Sequence, residues 1–195
     1  MRWLATLALA TVAATAAADA PRPLALVGGT IVDGYGNAPL RNGVILVEGE
    51  RIAAVGTVGQ LAVPPGAEII STEGMTVLPG LRDLQAHLAR LGQADERRWS
   101  EHYLPIAERV VMPLAAAQLL AAGVTSARDA GAPPGAALRV RERLRERRLP
   151  GPTLFVPGPL LVKTDRPGGE SWRWAVNGAD DVRRRVQRLA QLGPD

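Results

Sequence analysis

The 195-residue chain contains no cysteine, only two histidines, His87 and His102, and, among its 23 Lys and Arg, a single lysine, Lys163. Without cysteine there are no disulfides, so an ordered structure must rest on packing or on bound metal. After the first twenty residues no run is apolar for the roughly 20 residues that a bilayer crossing requires. The near absence of lysine, set beside the Ala, Gly and Pro richness, reads as a coding bias. The net charge of +4 and the pI near 10.5 therefore point only weakly to an anionic partner surface. What is present is enough apolar side chain for a core, 47% hydrophobic against 22% charged, which excludes wholesale disorder. Gly (21) and Pro (16) interrupt the chain too often for a coiled coil or an all-helical bundle. A loop-rich α/β chain of one domain, or one and a half, fits these limits.

The first twenty residues read as a secretory signal peptide. Met1-Arg2-Trp3 supplies a positive start, Leu4 to Ala14 is almost wholly apolar, and Ala16-Ala17-Ala18 and Ala18-Asp19-Ala20 offer small residues at the cleavage spacing. An uncleaved anchor is the alternative, but the run is short for a bilayer and Pro21 and Pro23 stop it. The protein is expected to be exported, to a periplasmic or extracellular destination.

From Leu24 to Leu78 short β-branched runs alternate with turn residues, predicting strands over Leu24–Val32, Val44–Val47, Ile52–Val55, Glu68–Ser71 and Met75–Leu78. Glu48-Gly49-Glu50-Arg51 is a hairpin turn and Val63-Pro64-Pro65-Gly66 a surface loop. After Pro79-Gly80 helical spacings alternate with single strands. Ile106, Val110, Leu114, Ala117 and Ala121 form one stripe ending at the capping Gly123, with Pro113 implying a kink or a break. Val124–Ala127 and Thr153–Val156 read as buried strands. Between them Ala137, Val140 and Leu144 give a second helix its apolar face. A third helix, capped by Asp180 or Asp181, carries Val182, Val186 and Leu189. Strand and helix alternating at this spacing are parallel βα units.

The ordered set Gly29-Thr30-Ile31-Val32-Asp33-Gly34, Val47 through Gly56, Gly74 through Asp83, Ala122 through Asp129 and Gly151 through Pro159 resembles the opening of the metal-dependent amidohydrolases, in their imidazolonepropionase-like and prolidase-like branch. The resemblance runs from Leu24 to Asp195. It implies an α/β fold: a small β-sandwich segment over residues 21–78, then over 79–195 the first three or so βα units of an incomplete TIM barrel. It also implies a divalent metal, zinc first, held by a His-x-His at the end of the first barrel strand. That metal activates water against a carbon–nitrogen bond of an amide, cyclic amide or dipeptide substrate.

The chain departs from that pattern in three places. The metal motif reads Asp83-Leu84-Gln85-Ala86-His87, so His87 keeps the second ligand position while Gln85, a neutral and weaker donor, holds the first. Asp83 is left to orient the strand end from behind the ligands. Strand alternation that sends Asp83, Gln85 and His87 to the lumen sends Arg82 outward beneath the helices, where an unpaired guanidinium is costly. The remaining family ligands would lie from the fourth strand onward, and Gly193-Pro194-Asp195 resembles the approach to that strand, so the chain is expected to be truncated and inactive alone. Lys163 follows the third strand and reads as solvated. His102 lies outside every matched motif and reads as a surface histidine.

Arg128-Asp129 at the end of the second strand is either a substrate-side pair or an internal salt bridge. Gly168-Gly169-Glu170 is either a turn or a mobile loop near the site. Trp172 and Trp174 read as packing residues more readily than as a substrate edge. The run Arg139 to Arg148 interleaves Glu142 and Glu146 and holds no aromatic, which favours a solvated helix over a nucleic-acid surface. No membrane contact is expected after leader cleavage, and the open strand edge favours self-association. The second functional reading is a non-catalytic exported binding or assembly module derived from the same family, with no metal of its own. Export predicts a mature N-terminus at Asp19 or Pro21; an intact mass on the secreted protein that retains Met1 to Ala18 would contradict it.

Overall fold

The computed structural model describes residues 22–90, 95–163 and 172–195. Residues 1–20, expected to be a leader, and Gly168-Gly169-Glu170 lie outside them. The chain is mixed α/β with several small sheets, and it divides after Pro79 into two compact units.

The first unit is built on four strands in the order β4-β3-β1-β5, with β1 at Leu24–Val27, β3 at Gly43–Glu48, β4 at Arg51–Thr57 and β5 at Glu68–Ser71. β3 runs antiparallel to β1 and β4, while β5 lies parallel to β1. β3 and β4 meet across Gly49-Glu50, where Gly49 adopts φ +59°. Ala25, Val44 and Leu46 are buried together, with Val27, Ala54, Leu61 and Val63 packed around them.

The strand expected over Leu24–Val32 is broken in two. β2, Thr30–Ile31, leaves this sheet to pair in parallel with β6, Thr76–Val77. Gly28 takes φ +99°, and a Cβ on Gly29 would meet the Thr72 carbonyl and hydroxyl oxygens at 2.8 Å. The Thr72 hydroxyl instead accepts the Gly29 N–H at 2.9 Å. Two glycines thus let the chain turn against a distant segment, and a β-branched run alone does not disclose that approach.

The second unit centres on three parallel strands in the order β7-β8-β9: β7 is Leu81–Ala86, β8 Val124–Asp129 and β9 Thr153–Phe155. The connection from β7 to β8 contains a short helical turn, α1 (Glu96–Arg98), and the helix α2 (Met112–Ala121). That from β8 to β9 is α3, Pro134–Arg145. α3 buries Ala137, Val140 and Leu144, the expected face. A second, two-stranded parallel sheet pairs β10 (Leu160–Lys163) with β11 (Arg173–Val176), and α4 (Gly178–Ala190) follows.

Between α1 and α2 the chain winds through π-helical turns at Trp99–Tyr103 and Ala107–Val111, separated by a 3₁₀ turn at Leu104–Ile106. Wide turns rotate the faces that follow them. The buried stripe is consequently Ala107, Val111, Met112 and Ala116, one position round from the expected Ile106, Val110 and Leu114, and Val110 is 51% exposed. Pro113 sits in the first turn of α2, where the winding passes from π-helical to α-helical, so the irregularity expected at this proline takes the form of a change of helix type. The helical run Trp99–Ala121 is long and apolar enough by length and composition to cross a membrane, which corrects the expectation that no such segment follows the leader. Here Trp99, Ala107, Met112 and Ala116 join the core of the unit, and Glu108 accepts two hydrogen bonds from Arg139 of α3 at 2.8 and 2.6 Å.

Trp172 is buried against Trp99 edge to face, with centroids 5.5 Å apart, and Arg90 lies over both rings. Packing is thus the observed role of Trp172, and Trp174 lies under Arg185 and Arg188 of α4. α4 buries no side chain; Val186, expected on an inner stripe, is 48% exposed. Asp181 acts in its first turn, accepting the Asn177 N–H at 3.1 Å, while Asp180 pairs with Arg183.

One face of the β7-β8-β9 sheet is covered and the other open. Ala86, Ala127, Leu154 and Val156 join the core with the helices, whereas Leu84 is 70% and Phe155 47% exposed. Leu154→Ala should cost about 2–5 kcal/mol, and Leu84→Ala should fall within ~0.5 kcal/mol of the parent. Urea denaturation midpoints read both, and equal losses would contradict this assignment of faces.

Candidate functional site

The residues singled out by the sequence gather at the ends of β7 and β8, but not on one face. Pairing between these strands slips twice, between Leu81 and Arg82 and between Asp83 and Ala86. Arg82 pairs with Ser126, Asp83 with Ala127 and Ala86 with Asp129. Paired residues of parallel strands share a face, so Arg82 lies on the open side with Ser126, and Asp83 follows Ala127 toward the helices. This inverts the alternation expected for Arg82. The guanidinium is exposed, and the burial cost does not arise.

Asp83 Oδ1 accepts the Gln85 N–H at 2.9 Å, closing a turn of its own backbone at the strand end. The Gln85 side chain is exposed. His87 is half-buried and lines a small cavity with Asp83, Ala86 and Leu88 against Ala115, Gln118 and Leu119 of α2. Its Nδ1 is buried without a hydrogen-bond partner among the described residues.

Arg128 and Asp129 point to opposite sides of β8, and no salt bridge joins them. Arg128 is exposed on the open face. Asp129 is 0% exposed; its Oδ1 accepts the Leu88 N–H at 3.3 Å and its Oδ2 has no partner among the described residues. Burial pushes this carboxyl up to about 7, against the opposing pull of the Leu88 N–H. The backbone around it is closed by the Ala130 N–H donating to the Ala86 carbonyl at 2.8 Å, which ties the end of β8 to β7.

The donor set does not fit a metal. Gln85 lies out in solvent, His87 faces α2, and no group of three His, Cys, Asp or Glu able to hold an ion occurs among the described residues. A borderline cation such as zinc needs three or four convergent ligands. His102 is exposed, its Nδ1 3.2 Å from the Arg98 carbonyl, and Lys163 is exposed on β10.

Sequence reasoning did not anticipate the anchoring of Gly193–Asp195. Asp195 Oδ2 accepts the Val156 N–H at 2.7 Å and an Arg141 N–H at 2.8 Å, while the Asp195 N–H donates to the Val156 carbonyl at 3.1 Å. The segment therefore lies beside the end of β9, along the edge expected to be bare. Its only sequence signal was Arg141 on the outer face of α3, which has no carboxylate among its helical neighbours that the spacing singles out.

No protein-family profile matches the chain. Over 70 residues it is 36% identical to the N-acyl-D-aspartate deacylase of Alcaligenes xylosoxydans xylosoxydans, a match spanning 36% of this chain and 13% of that protein. A prolidase-like protein of Bifidobacterium longum superposes on 89% of this chain and 39% of its own, at 25% identity and a TM-score of 0.70. An amidohydrolase structure covers 89% of this chain and 45% of its own, with a TM-score of 0.73; at 24% identity that likeness is one of fold. The chain spans less than half the length of each of these proteins.

Asp129 sets a pH dependence. A carboxyl whose folded pKa lies above its unfolded value near 4 stabilises most when protonated, so its contribution is full below about pH 4 and is lost as pH rises through about 7. Stability should fall by roughly 1–3 kcal/mol between pH 5 and 8, and Asp129→Asn should flatten that profile. Thermal unfolding across the range reads it; parallel profiles for parent and variant would contradict it.

Proposed function

From its place in the amidohydrolase superfamily, whose prolidase-like fold it carries in N-terminal portion, we propose that this chain is part of a hydrolase that cleaves a carbon–nitrogen bond in a small amide, cyclic amide or dipeptide. The observation that carries the proposal is the parallel β7-β8-β9 sheet, with α2 and α3 in its crossovers, in a chain whose fold matches a prolidase-like protein over 89% of its length. In this reading the three strands open a barrel, and the first unit is one side of a β-sandwich. The protein reaches its site after export and loss of residues 1–20.

Alone, the chain is inactive. Hydrolysis needs a generator of nucleophile, and the described residues assemble none: Gln85 is solvated, the imidazole of His87 faces a helix, and Asp129 is sealed beneath the sheet. No catalytic step is therefore assigned to these residues. A divalent metal belongs to the family reading and not to this chain's own donor set.

The second reading is an exported binding or assembly module that kept the fold and lost the chemistry. The exposed amide at Gln85 favours it, since a chain under selection for metal binding keeps imidazole there. Association through the β7 edge belongs to either reading.

The test replaces the corresponding part of an active prolidase-like enzyme with residues 24–195 of this chain. The chimera with Gln85 should bind less than ~0.1 equivalent of metal and turn over more than tenfold slower than its Gln85→His counterpart. Equal metal content and turnover in the two chimeras would overturn the role given to Gln85. A folded Gln85→His chimera without any turnover would favour the binding module.

A further inference from the structure

The open face of the β7-β8-β9 sheet holds a cavity of about 360 Å³, whose lining includes Arg82, Arg128, Leu84, Phe155 and Pro157. The strand register explains its chemistry. Arg82 pairs with Ser126, and Arg128 stands two residues further along β8 on the same face, so two guanidiniums are carried side by side on neighbouring strands.

Both are uncommitted. Arg82 and Arg128 make no ion pair or hydrogen bond among the described residues. The lining also includes Asp83 and Asp195: the Asp83 side chain turns toward the helices, where its Oδ1 accepts the Gln85 N–H at 2.9 Å, and Asp195 Oδ2 is held by the Val156 N–H and Arg141. The space thus offers two free planar donors at one place, and beside them the exposed apolar surface of Leu84 and Phe155.

We propose that this cavity binds an organic monoacid, a carboxylate carried on an apolar body. The guanidinium fork matches a carboxylate in two parallel hydrogen bonds. An inorganic anion would satisfy the arginines but leave Leu84 and Phe155 wet, and an uncharged apolar compound would leave the arginines unmatched. The volume suits a small molecule rather than a polypeptide segment, since pockets of roughly 300–1,000 Å³ take drug-sized ligands. The site needs no metal and no catalytic step. It stands or falls separately from the hydrolase reading.

The experiment is calorimetric titration of the full chain with 4-phenylbutyrate, using 4-phenylbutan-1-ol and inorganic phosphate as comparison probes. The acid should bind saturably, with the alcohol and phosphate at least tenfold weaker. Arg82→Gln and Arg128→Gln should each weaken the acid at least tenfold while leaving the thermal unfolding midpoint in place, because both side chains are exposed. Phe155→Ala should weaken the acid and leave phosphate unchanged. The proposal is overturned by absence of saturable binding, by unchanged affinity in both arginine variants, by alcohol binding as tightly as the acid, or by phosphate doing so, which would make the face a plain anion patch.

Discussion

The pairing of β7 with β8 governs the second unit. A strand presents alternate residues to opposite faces, so each slip in register exchanges what is buried for what is open. The two irregularities, at Leu81/Arg82 and at Asp83/Ala86, put Arg82 beside Ser126 and Ala86 beside Asp129. From that follow the exposed arginines, the carboxylate sealed under the sheet and the histidine turned toward α2. The same pairing ends in the hydrogen bonds from Leu88 to Asp129 and from Ala130 to Ala86, which clamp the two strand ends together.

The covered face of the sheet is where stability resides. Ala127, Leu154 and Val156 pack under Ala116, Ala137, Val140 and Leu144, and the cluster extends through Trp99 to Trp172. Trp99 is held in place by its indole N–H, which donates to the Ala89 carbonyl at 2.8 Å. Small residues at 116, 127 and 137 let helices approach the strands closely, and the two indoles fill the space beyond them. The buried Asp129 is the exception in this apolar layer, and its raised pKa is the physical mark of that exception.

The open face has the opposite character. It carries leucine, phenylalanine and unpaired arginine together, a combination that neither a core nor an ordinary solvated surface favours. The cavity on this face has guanidinium donors beside apolar walls. The lack of convergent metal ligands and the presence of two free guanidiniums on the same strands are both consequences of which residues the register delivers.

Local pattern alone determined a good deal. The amphipathic stripe of α3, the Glu48–Arg51 hairpin, the glycine end of α2 and the succession of parallel strands with helices between them were legible, because each depends on residues a few positions apart. The motifs that resemble an amidohydrolase opening were legible for the same reason, as was the loss of imidazole at Gln85. What only the tertiary structure decided is how those segments meet: the break of the first strand where Gly28-Gly29 approaches Thr72, the rotation of the α2 face by π-helical turns, the anchoring of Asp195 beside Val156, and the faces taken by Arg82, His87 and Asp129. Those outcomes depend on contacts between residues up to 54 positions apart, as between Arg141 and Asp195. A strand's period of two fixes that its neighbours in sequence face opposite ways, but only its pairing partner fixes which way is in.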